Sequence, residues 1–242
     1  MLKKITLSCC CFLLISSHVI AQQTAKPASK KSTFKKAIIP ASLITLGFIL
    51  NKSALEKDIN KSILKTVKSG FHTNADDYLV LSPAAIALAA NFAGIEAKNH
   101  WFDQGKNVFI ATTGTYLITN GLKNLLHKTR PDGSNADSMP SGHSSMSFAA
   151  ATVLYEEYKN TNKTIAYSGF ATSSAVVYFR MANNKHWVSD TLVGAGIGIA
   201  VAKLVYLIEP LKNFNPFKNT HGITVFPAIS DDGFSLAFTK RF

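Results

Sequence analysis

The feature that most constrains this chain is a succession of six apolar segments, five of which carry no charged residue. They cover residues 37–51, 78–95, 107–122, 141–155, 164–179 and 191–208, the last interrupted only by Lys203. All are rich in Ala, Ser, Thr and Gly, which suits closely packed helices. Between the first two, residues 52–77 form a charged stretch with apolar residues at helical spacing, which predicts an amphipathic helix. We therefore expect an all-α fold, a helical bundle of about six core helices.

The length of these segments leaves the relation to a membrane open. None exceeds 18 residues, whereas a helix needs about 20 apolar residues to cross a bilayer. Short spans and a compact helical domain resting on the membrane are both compatible with the pattern. If every segment spans, a site just after residue 122 faces the cytoplasm. A site facing the periplasm requires that residues 37–51 lie on the surface.

The N-terminus has the pattern of an export signal. Lys3 and Lys4 precede an apolar stretch, residues 5–20, that ends in small residues at Ala21. This is typical of a cleaved signal peptide, and a retained membrane anchor is the alternative. Cleavage removes all three cysteines, Cys9 to Cys11, so the mature chain would contain no thiol for a disulfide or a metal site.

Composition divides the rest of the chain. Residues 22–36 are polar and lysine-rich, which predicts a flexible basic linker between the signal peptide, residues 1–21, and the main domain, residues 37–212. The tail, residues 213–242, has alternating apolar residues on both sides of Asp231-Asp232-Gly233, which predicts a short C-terminal β-hairpin.

The formal net charge of +12 indicates an anionic partner. Nucleic acid, anionic lipid and a phosphorylated substrate all attract such a chain. The lysines are scattered and no nucleic-acid recognition motif accompanies them, so we expect no nucleic-acid partner. The oligomeric state is unknown at this stage.

Three clusters carry groups suited to chemistry on an anion. In the first, Lys123 and Arg130 are seven residues apart, almost two helical turns, and Pro131 ends the helix. Both cations would then lie on one helix face, where they favour an anion. A lysine-rich helix end that faces water is the simpler alternative.

The second cluster is Pro140-Ser-Gly-His143, where a polar loop runs into small and apolar residues. If Ser141 caps a helix, the backbone N–H groups of Gly142 and His143 point outward at the positive end of the helix dipole, where phosphate binds. Ser-Gly turns are common, so the pattern alone does not establish a site.

The third cluster contains Arg180, His186 and Asp190. Four residues separate His186 from Asp190, so on a helix the carboxylate lies one turn from the imidazole. It can hold one ring nitrogen protonated and leave the other free as a nucleophile. An ordinary surface His–Asp pair is the alternative.

Taken in order, Lys-x6-Arg-Pro, Pro-Ser-Gly-His and Arg-x5-His-x3-Asp resemble the signature of the type 2 phosphatidic acid phosphatase (PAP2) superfamily. That superfamily includes class A acid phosphatases and vanadium haloperoxidases. The resemblance covers roughly residues 76–210, and it implies that residues 37–212 form a helical phosphatase domain. Phe179 precedes the third-motif arginine where many members have serine, which removes one possible phosphate contact.

The resemblance also implies which residues bind phosphate. The phosphoryl oxygens would be held by three cations, one hydroxyl and one backbone amide. These are Lys123, Arg130, Arg180, Ser141 and Gly142.

Three further residues would carry the reaction. His186 would attack phosphorus and form a phosphohistidine, with Asp190 orienting its ring. His143 would protonate the departing oxygen and then activate water. The resemblance implies no cofactor and no metal.

The sequence therefore predicts an exported, membrane-associated phosphatase of the cell envelope, with its site facing the periplasm. The expected substrate is a lipid phosphate or diphosphate: phosphatidic acid, phosphatidylglycerol phosphate, polyprenyl diphosphate or the phosphate of a lipid A-like glycolipid. A soluble periplasmic acid phosphatase, a vanadate-dependent haloperoxidase and a non-catalytic membrane scaffold are the alternatives.

Residues near the motifs receive minor roles. We expect His127 and Lys128 to be solvated or to contact lipid headgroups. We expect Asp76 and Asp77 to begin a helix, since acidic residues stabilise helix N-termini.

Overall fold

The computed structural model describes residues 30–208 together with two C-terminal strands. The chain divides into two units, residues 1–36 and 37–242. The described residues contain eight helices: α1 (Lys30–Leu50), α2 (Ala54–Thr66), α3 (Ala75–Leu79), α4 (Ser82–Phe92), α5 (Trp101–Leu126), α6 (Gly142–Tyr158), α7 (Lys163–Ala182) and α8 (Val188–Val205). The predicted signal peptide, the first part of the predicted linker and residues 209–222 lie outside the described residues.

The domain is helical, as predicted, but it contains more helices than the six apolar segments suggest. The single amphipathic helix predicted over residues 52–77 is wrong: α2 ends at Thr66, Gly70 adopts a positive φ of 76°, and α3 begins at Ala75 and runs to Leu79. The segment 78–95 is also divided, with Pro83 at the start of α4, where a missing N–H is tolerated. At the other end, α1 begins at Lys30 inside the predicted flexible linker.

Helix α6 lies at the centre of the domain and packs against α5, α7 and α8. The approach of α6 to α8 depends on glycine. A Cβ atom on Gly198 would lie 2.1 Å from the carbonyl oxygen of Ser145, and one on Gly194 would lie 2.6 Å from that of Ser141. Both distances are well below van der Waals contact. Glycine at these positions therefore lets α8 lie directly against the first turns of α6.

The short helices α2 and α3 pack near the ends of the long ones. Helix α2 contacts α7 and α8, whereas α3 contacts α7 and α6. Ser53 begins α2 as its N-cap, with its hydroxyl accepting a hydrogen bond from the amide of Glu56. This arrangement brings acidic residues of α2 and α3 to the end of the bundle where α7 ends and α6 and α8 begin.

In the described part of the chain, α8 is the one helix long and apolar enough by itself to span a membrane. Two thirds of its apolar window (67%) is buried inside the domain, and α1 and α2 pass the same test only as a pair bent by 94°. Exposed apolar side chains lie on several helices, among them Ile39 and Ile49 on α1, Leu88 and Phe92 on α4, and Phe109, Leu117 and Leu125 on α5.

The two strands follow the helical domain in sequence. Strand β1 (Ile223–Ser230) pairs antiparallel with β2 (Gly233–Lys240), and Ser230 lies opposite Gly233. The predicted turn residues Asp231 and Asp232 lie outside the described residues, so the hairpin as a whole remains a prediction.

Candidate active site

The first cluster lies at and beyond the C-terminal end of α5. The prediction of one helix face was wrong here: α5 ends at Leu126 and His127 caps it with a positive φ of 42°, so Arg130 lies in the following loop. Lys123 and Arg130 are nevertheless close enough to repel each other. Burial and then Arg130 lower the pKa of Lys123 to about 8. The Lys123 ammonium donates to the carbonyl oxygen of Asp137.

The second cluster forms the N-terminus of α6, as the sequence predicts. Ser141 is the N-cap, and its hydroxyl oxygen accepts hydrogen bonds from the amide and the hydroxyl of Ser144. Nothing lies within 4 Å of the position that a Cβ on Gly142 would occupy. The first turn of α6 is therefore open at Gly142, where a bound group could approach the backbone.

The third cluster connects α7 to α8. Arg180 lies in the last turn of α7, His186 in the connecting turn and Asp190 in the first turn of α8. His186 and Asp190 are almost completely buried, with 2% and 0% of their surfaces exposed. Burial lowers the pKa of His186 to about 4, which leaves its imidazole neutral near neutral pH.

The contact between His186 and Asp190 differs from the predicted one. Nδ1 of His186 lies 2.7 Å from the carbonyl oxygen of Ser138 but 3.7 Å from Oδ2 of Asp190. The same Oδ2 accepts hydrogen bonds from the Ser138 hydroxyl at 2.5 Å and from the Trp187 amide at 2.8 Å. Because a carbonyl oxygen only accepts, Nδ1 carries the proton. Asp190 therefore orients the ring through Ser138, and Nε2 is the basic nitrogen.

Hydrogen bonds between the three clusters hold them together. The Ser141 amide donates to the carbonyl of Asp190 at 3.0 Å, which joins the second cluster to the third. The Lys185 ammonium lies 2.7 Å from the Asp132 carboxylate, which joins the third to the loop after the first. The Trp187 indole adds a bond to the carbonyl of Thr129 at 2.9 Å. Three stretches distant in sequence thus form one site.

Cations of the site lie close to its two imidazoles. Burial lowers the pKa of both His143 and His186, and the Arg180 guanidinium lowers both further, so it acts on both imidazoles. The Nε atoms of Arg130 and Arg180 are buried and have no hydrogen-bond partner within the described residues. Buried donors normally have partners. Cations and unpaired donors together favour a bound anion.

Lys128 is the clearest error of the sequence interpretation. It is buried, with 6% of its surface exposed, and not solvated as predicted. Its ammonium lies 2.8 Å from Glu56 and 2.9 Å from Oδ1 of Asp190, and the Ser189 hydroxyl is 2.7 Å away. Lys128 thus holds the side of the Asp190 carboxylate that does not face Ser138. His127 is exposed, as expected.

Helix α3 contributes two carboxylates to the site, which the sequence did not predict. Asp76 and Asp77 do lie in its first turn, as predicted. Their side chains, however, reach the site: Asp76 accepts a hydrogen bond from Arg180 at 2.6 Å, and Asp77 lies 2.7 Å from Nε2 of His143. No motif signals these contacts, because the partners are 104 and 66 residues away in sequence.

Asp76, Asp77 and His143 are also the one described group of three side chains whose potential metal-ligand atoms lie within 4.8 Å of one another. Asp76 is already bonded to the Arg180 guanidinium, whose charge opposes a metal cation there. The absence of a metal or cofactor from the reaction stays a prediction.

Comparison with known proteins identifies the family. The model of the PAP2 superfamily matches residues 104–214, which contain all three clusters. The chain belongs to the PAP2 superfamily. The lipid A 1-phosphatase of Porphyromonas gingivalis is 30% identical over 189 residues, which are 77% of this chain and 40% of that protein. This PAP2 chain thus spans less than half the length of that curated relative.

Two solved structures are similar to this PAP2 protein at 19% sequence identity. One is LpxE of Aquifex aeolicus, with a TM-score of 0.49, covering 66% of this chain and 99% of that one. The other is a transmembrane PAP2 type phosphatidylglycerolphosphate phosphatase of Bacillus subtilis, with a TM-score of 0.43, covering 86% and 98%. Helices α2 and α3, which supply Glu56, Asp76 and Asp77, precede the region that the family model matches.

Proposed function

We propose that this protein is a membrane-associated phosphatase that removes a phosphate group from a lipid, without a metal, through a phosphohistidine on His186. The observation that carries the proposal is that Lys123, Arg130 and Arg180 lie close to one another, and that Arg180 acts on both imidazoles, His143 and His186. Preorganised positive charge is the main catalytic contribution to phosphoryl transfer.

In the first step, Nε2 of His186 attacks phosphorus. The P–N bond forms as the bond from phosphorus to the leaving oxygen breaks, and a proton from His143 neutralises that oxygen. The lowered pKa of His186, about 4, supports its role as the nucleophile, because the neutral ring has a free electron pair. Lys123, Arg130, Arg180, the Ser141 hydroxyl and the Gly142 amide stabilise the charge on the three remaining phosphoryl oxygens.

In the second step, water attacks phosphorus and the P–N bond breaks. His143, now neutral, takes a proton from the water as it attacks, which returns both histidines to their starting states. Free phosphate leaves. The Ser138 carbonyl keeps the proton on Nδ1 of His186 throughout, and Asp190 holds Ser138 in place by accepting a hydrogen bond from its hydroxyl.

A lipid substrate is favoured by the surface beside the site. Tyr78, with 77% of its surface exposed, directly follows Asp77, whose carboxylate contacts His143, and Leu81, with 64% exposed, comes three residues later. Exposed apolar residues also lie on α4 and α5. A lipid lying against these residues could present its headgroup to the cations. Among the candidates, the phosphate of a lipid A-like glycolipid is favoured, because the curated relative is a lipid A 1-phosphatase.

The proposal places the mature protein at the membrane after export, with the site on the periplasmic face. The basic and apolar N-terminus supports export. Fractionation of cells that produce the full chain tests this: carbonate washing should leave the protein in the membrane fraction, and detergent should release it. Recovery in the carbonate wash would instead support the soluble acid phosphatase.

The test of activity is phosphate release by the purified full-length protein in detergent from lipid A, phosphatidic acid, phosphatidylglycerol phosphate and a soluble aryl phosphate. We expect release from lipid A to be fastest, unaffected by EDTA and abolished by His186→Ala. The matched control is Lys159→Ala, which removes a side chain outside all three motifs and should leave the rate unchanged. If the His186→Ala variant still releases phosphate, His186 is not the nucleophile.

A further inference from the structure

We propose that Asp77 is a positioning residue for His143: its carboxylate holds the proton on Nε2, so Nδ1 exchanges protons with the leaving oxygen and with water. This inference rests on the proposed phosphatase activity and adds to the site a residue from α3, outside the region that the family model matches. In each cycle one proton leaves Nδ1 for the oxygen, and one returns to Nδ1 from water.

The contact itself assigns the two ring nitrogens. Nε2 of His143 lies 2.7 Å from Oδ1 of Asp77. An ionised carboxylate can only accept a hydrogen bond, so Nε2 must donate. Among the hydrogen bonds of the described residues, none involves Nδ1 of His143. The nitrogen that is free to exchange a proton is therefore Nδ1.

Asp77 is partly exposed, but its backbone is fastened to the third cluster. Its neighbour Asp76 is buried and accepts hydrogen bonds from Arg180 at 2.6 Å and from Asn183 at 3.2 Å. The Asn183 amide also bonds the backbone of Thr73, donating to its carbonyl at 2.8 Å and accepting from its N–H at 3.0 Å. These contacts fix the start of α3 relative to α7, so the Asp77 carboxylate meets His143 in a defined position.

The charges around His143 explain why a carboxylate is needed. Burial and the Arg180 guanidinium lower the pKa of His143, whereas Asp77 and, more weakly, Asp76 raise it. A general acid must carry its proton at the working pH. Asp76 is the one other group of the described residues that raises this pKa, and it is already paired with the Arg180 guanidinium. Without Asp77, more of the enzyme would hold His143 neutral, unable to protonate the leaving group.

The kinetic test compares Asp77→Asn with the wild type across pH. We expect the basic limb of the kcat/KM profile to move about one pH unit toward acid. A nearby carboxylate raises the pKa of a histidine, and an exposed carboxylate such as Asp77 raises it by an amount at the small end of the usual range. At pH 7 phenyl phosphate hydrolysis should fall about tenfold. The loss should be smaller for p-nitrophenyl phosphate, whose leaving group needs less protonation. Asp77→Glu, which keeps the carboxylate, should restore much of the rate.

The matched control is Asp103→Asn. Asp103 pairs with Lys106 in the first turns of α5, 20 residues or roughly 30 Å of helix from Lys123. We expect its pH profile to match that of the wild type. If the wild type is active and the basic limb of the Asp77→Asn profile lies at the same pH as that of the wild type, the positioning role is wrong.

An NMR titration of the His143 ring in purified protein separates this inference from the proposed function, because it requires no turnover. We expect the pKa of His143 to fall by about one unit in Asp77→Asn. An unchanged pKa would overturn the inference even if the enzyme is active. A lowered pKa in a wild type that releases no phosphate would support the pairing and refute the phosphatase.

Discussion

Replacing Lys128 with methionine is the sharpest structural prediction, because this residue was expected in solvent and is buried between two carboxylates. Its ammonium lies 2.8 Å from Glu56 and 2.9 Å from Asp190, and all three side chains are at least nine-tenths buried. Methionine retains most of the side-chain volume but leaves both carboxylates without their cation. Removing one partner of a buried ion pair costs about 3–5 kcal/mol.

The assay is thermal unfolding followed by helical circular dichroism in detergent. For a chain of this size, 1 kcal/mol corresponds to about 2–4 °C, so we expect the midpoint of Lys128→Met to fall by roughly 6–20 °C. The matched control is Lys159→Met. Lys159 is the C-cap of α6 and pairs with Glu156 in that helix. Its side chain is 30% exposed, so replacing it should lower the free energy of unfolding by at most about 1 kcal/mol.

A double variant tests whether the cost comes from the unpaired carboxylates. Glu56→Gln removes one of these carboxylates. It should therefore lower the free energy of unfolding less in the Lys128→Met variant than in the wild type, and the difference between the two effects should be about 0.5–3 kcal/mol. Turnover should also fall in Lys128→Met, because Asp190 loses the contact that fixes its Oδ1. Equal midpoints for Lys128→Met and Lys159→Met would show that the buried ion pairs of Lys128 stabilise the fold no more than an exposed pair does.

Three further predictions follow from the packing and the charges. Gly198→Ala should lower the unfolding midpoint, because its Cβ would lie 2.1 Å from the Ser145 carbonyl; a midpoint equal to that of the wild type would contradict the close approach of α6 and α8. The pKa of His186 is about 4 when folded and 6.5 when unfolded, so the unfolded chain binds the extra proton between these values. The free energy of unfolding of the wild type, measured relative to that of His186→Asn, should therefore be highest above pH 6.5 and fall by about 3 kcal/mol toward pH 4. A difference that does not change with pH would show that folding does not lower the pKa of His186. Arg180→Lys should reduce kcat/KM by at least tenfold, because lysine cannot bond Asp76 and direct a second donor at phosphate; full activity would show that one point charge suffices.

The local features of the fold could be predicted from sequence. The apolar segments after residue 100 correspond to α5 to α8, and Ser141 caps α6 as expected, since a cap depends on neighbouring residues. The end of α5 at Leu126 was missed. Pro131 limits how far a helix can extend, but it does not require the helix to reach that point.

The long-range contacts could not be predicted in this way. The sequence around Lys128 predicts a surface residue, because nothing near it in sequence indicates burial. Its partner Glu56 is 72 residues earlier. The same holds for Asp77 and His143, 66 residues apart. Periodicity and spacing identify which residues carry chemistry. They do not identify the carboxylates that tertiary packing places beside those residues.

The proposed mechanism requires that His186 becomes phosphorylated during turnover, and mass spectrometry of the rapidly quenched enzyme detects this phosphoenzyme. The His143→Ala variant with p-nitrophenyl phosphate is the best material, because this leaving group needs little protonation while the water that breaks the P–N bond lacks its base. Alkaline quenching should preserve one phosphate, located on His186. Turnover with phosphate on another residue, or with no phosphoenzyme at any time point, would contradict the mechanism.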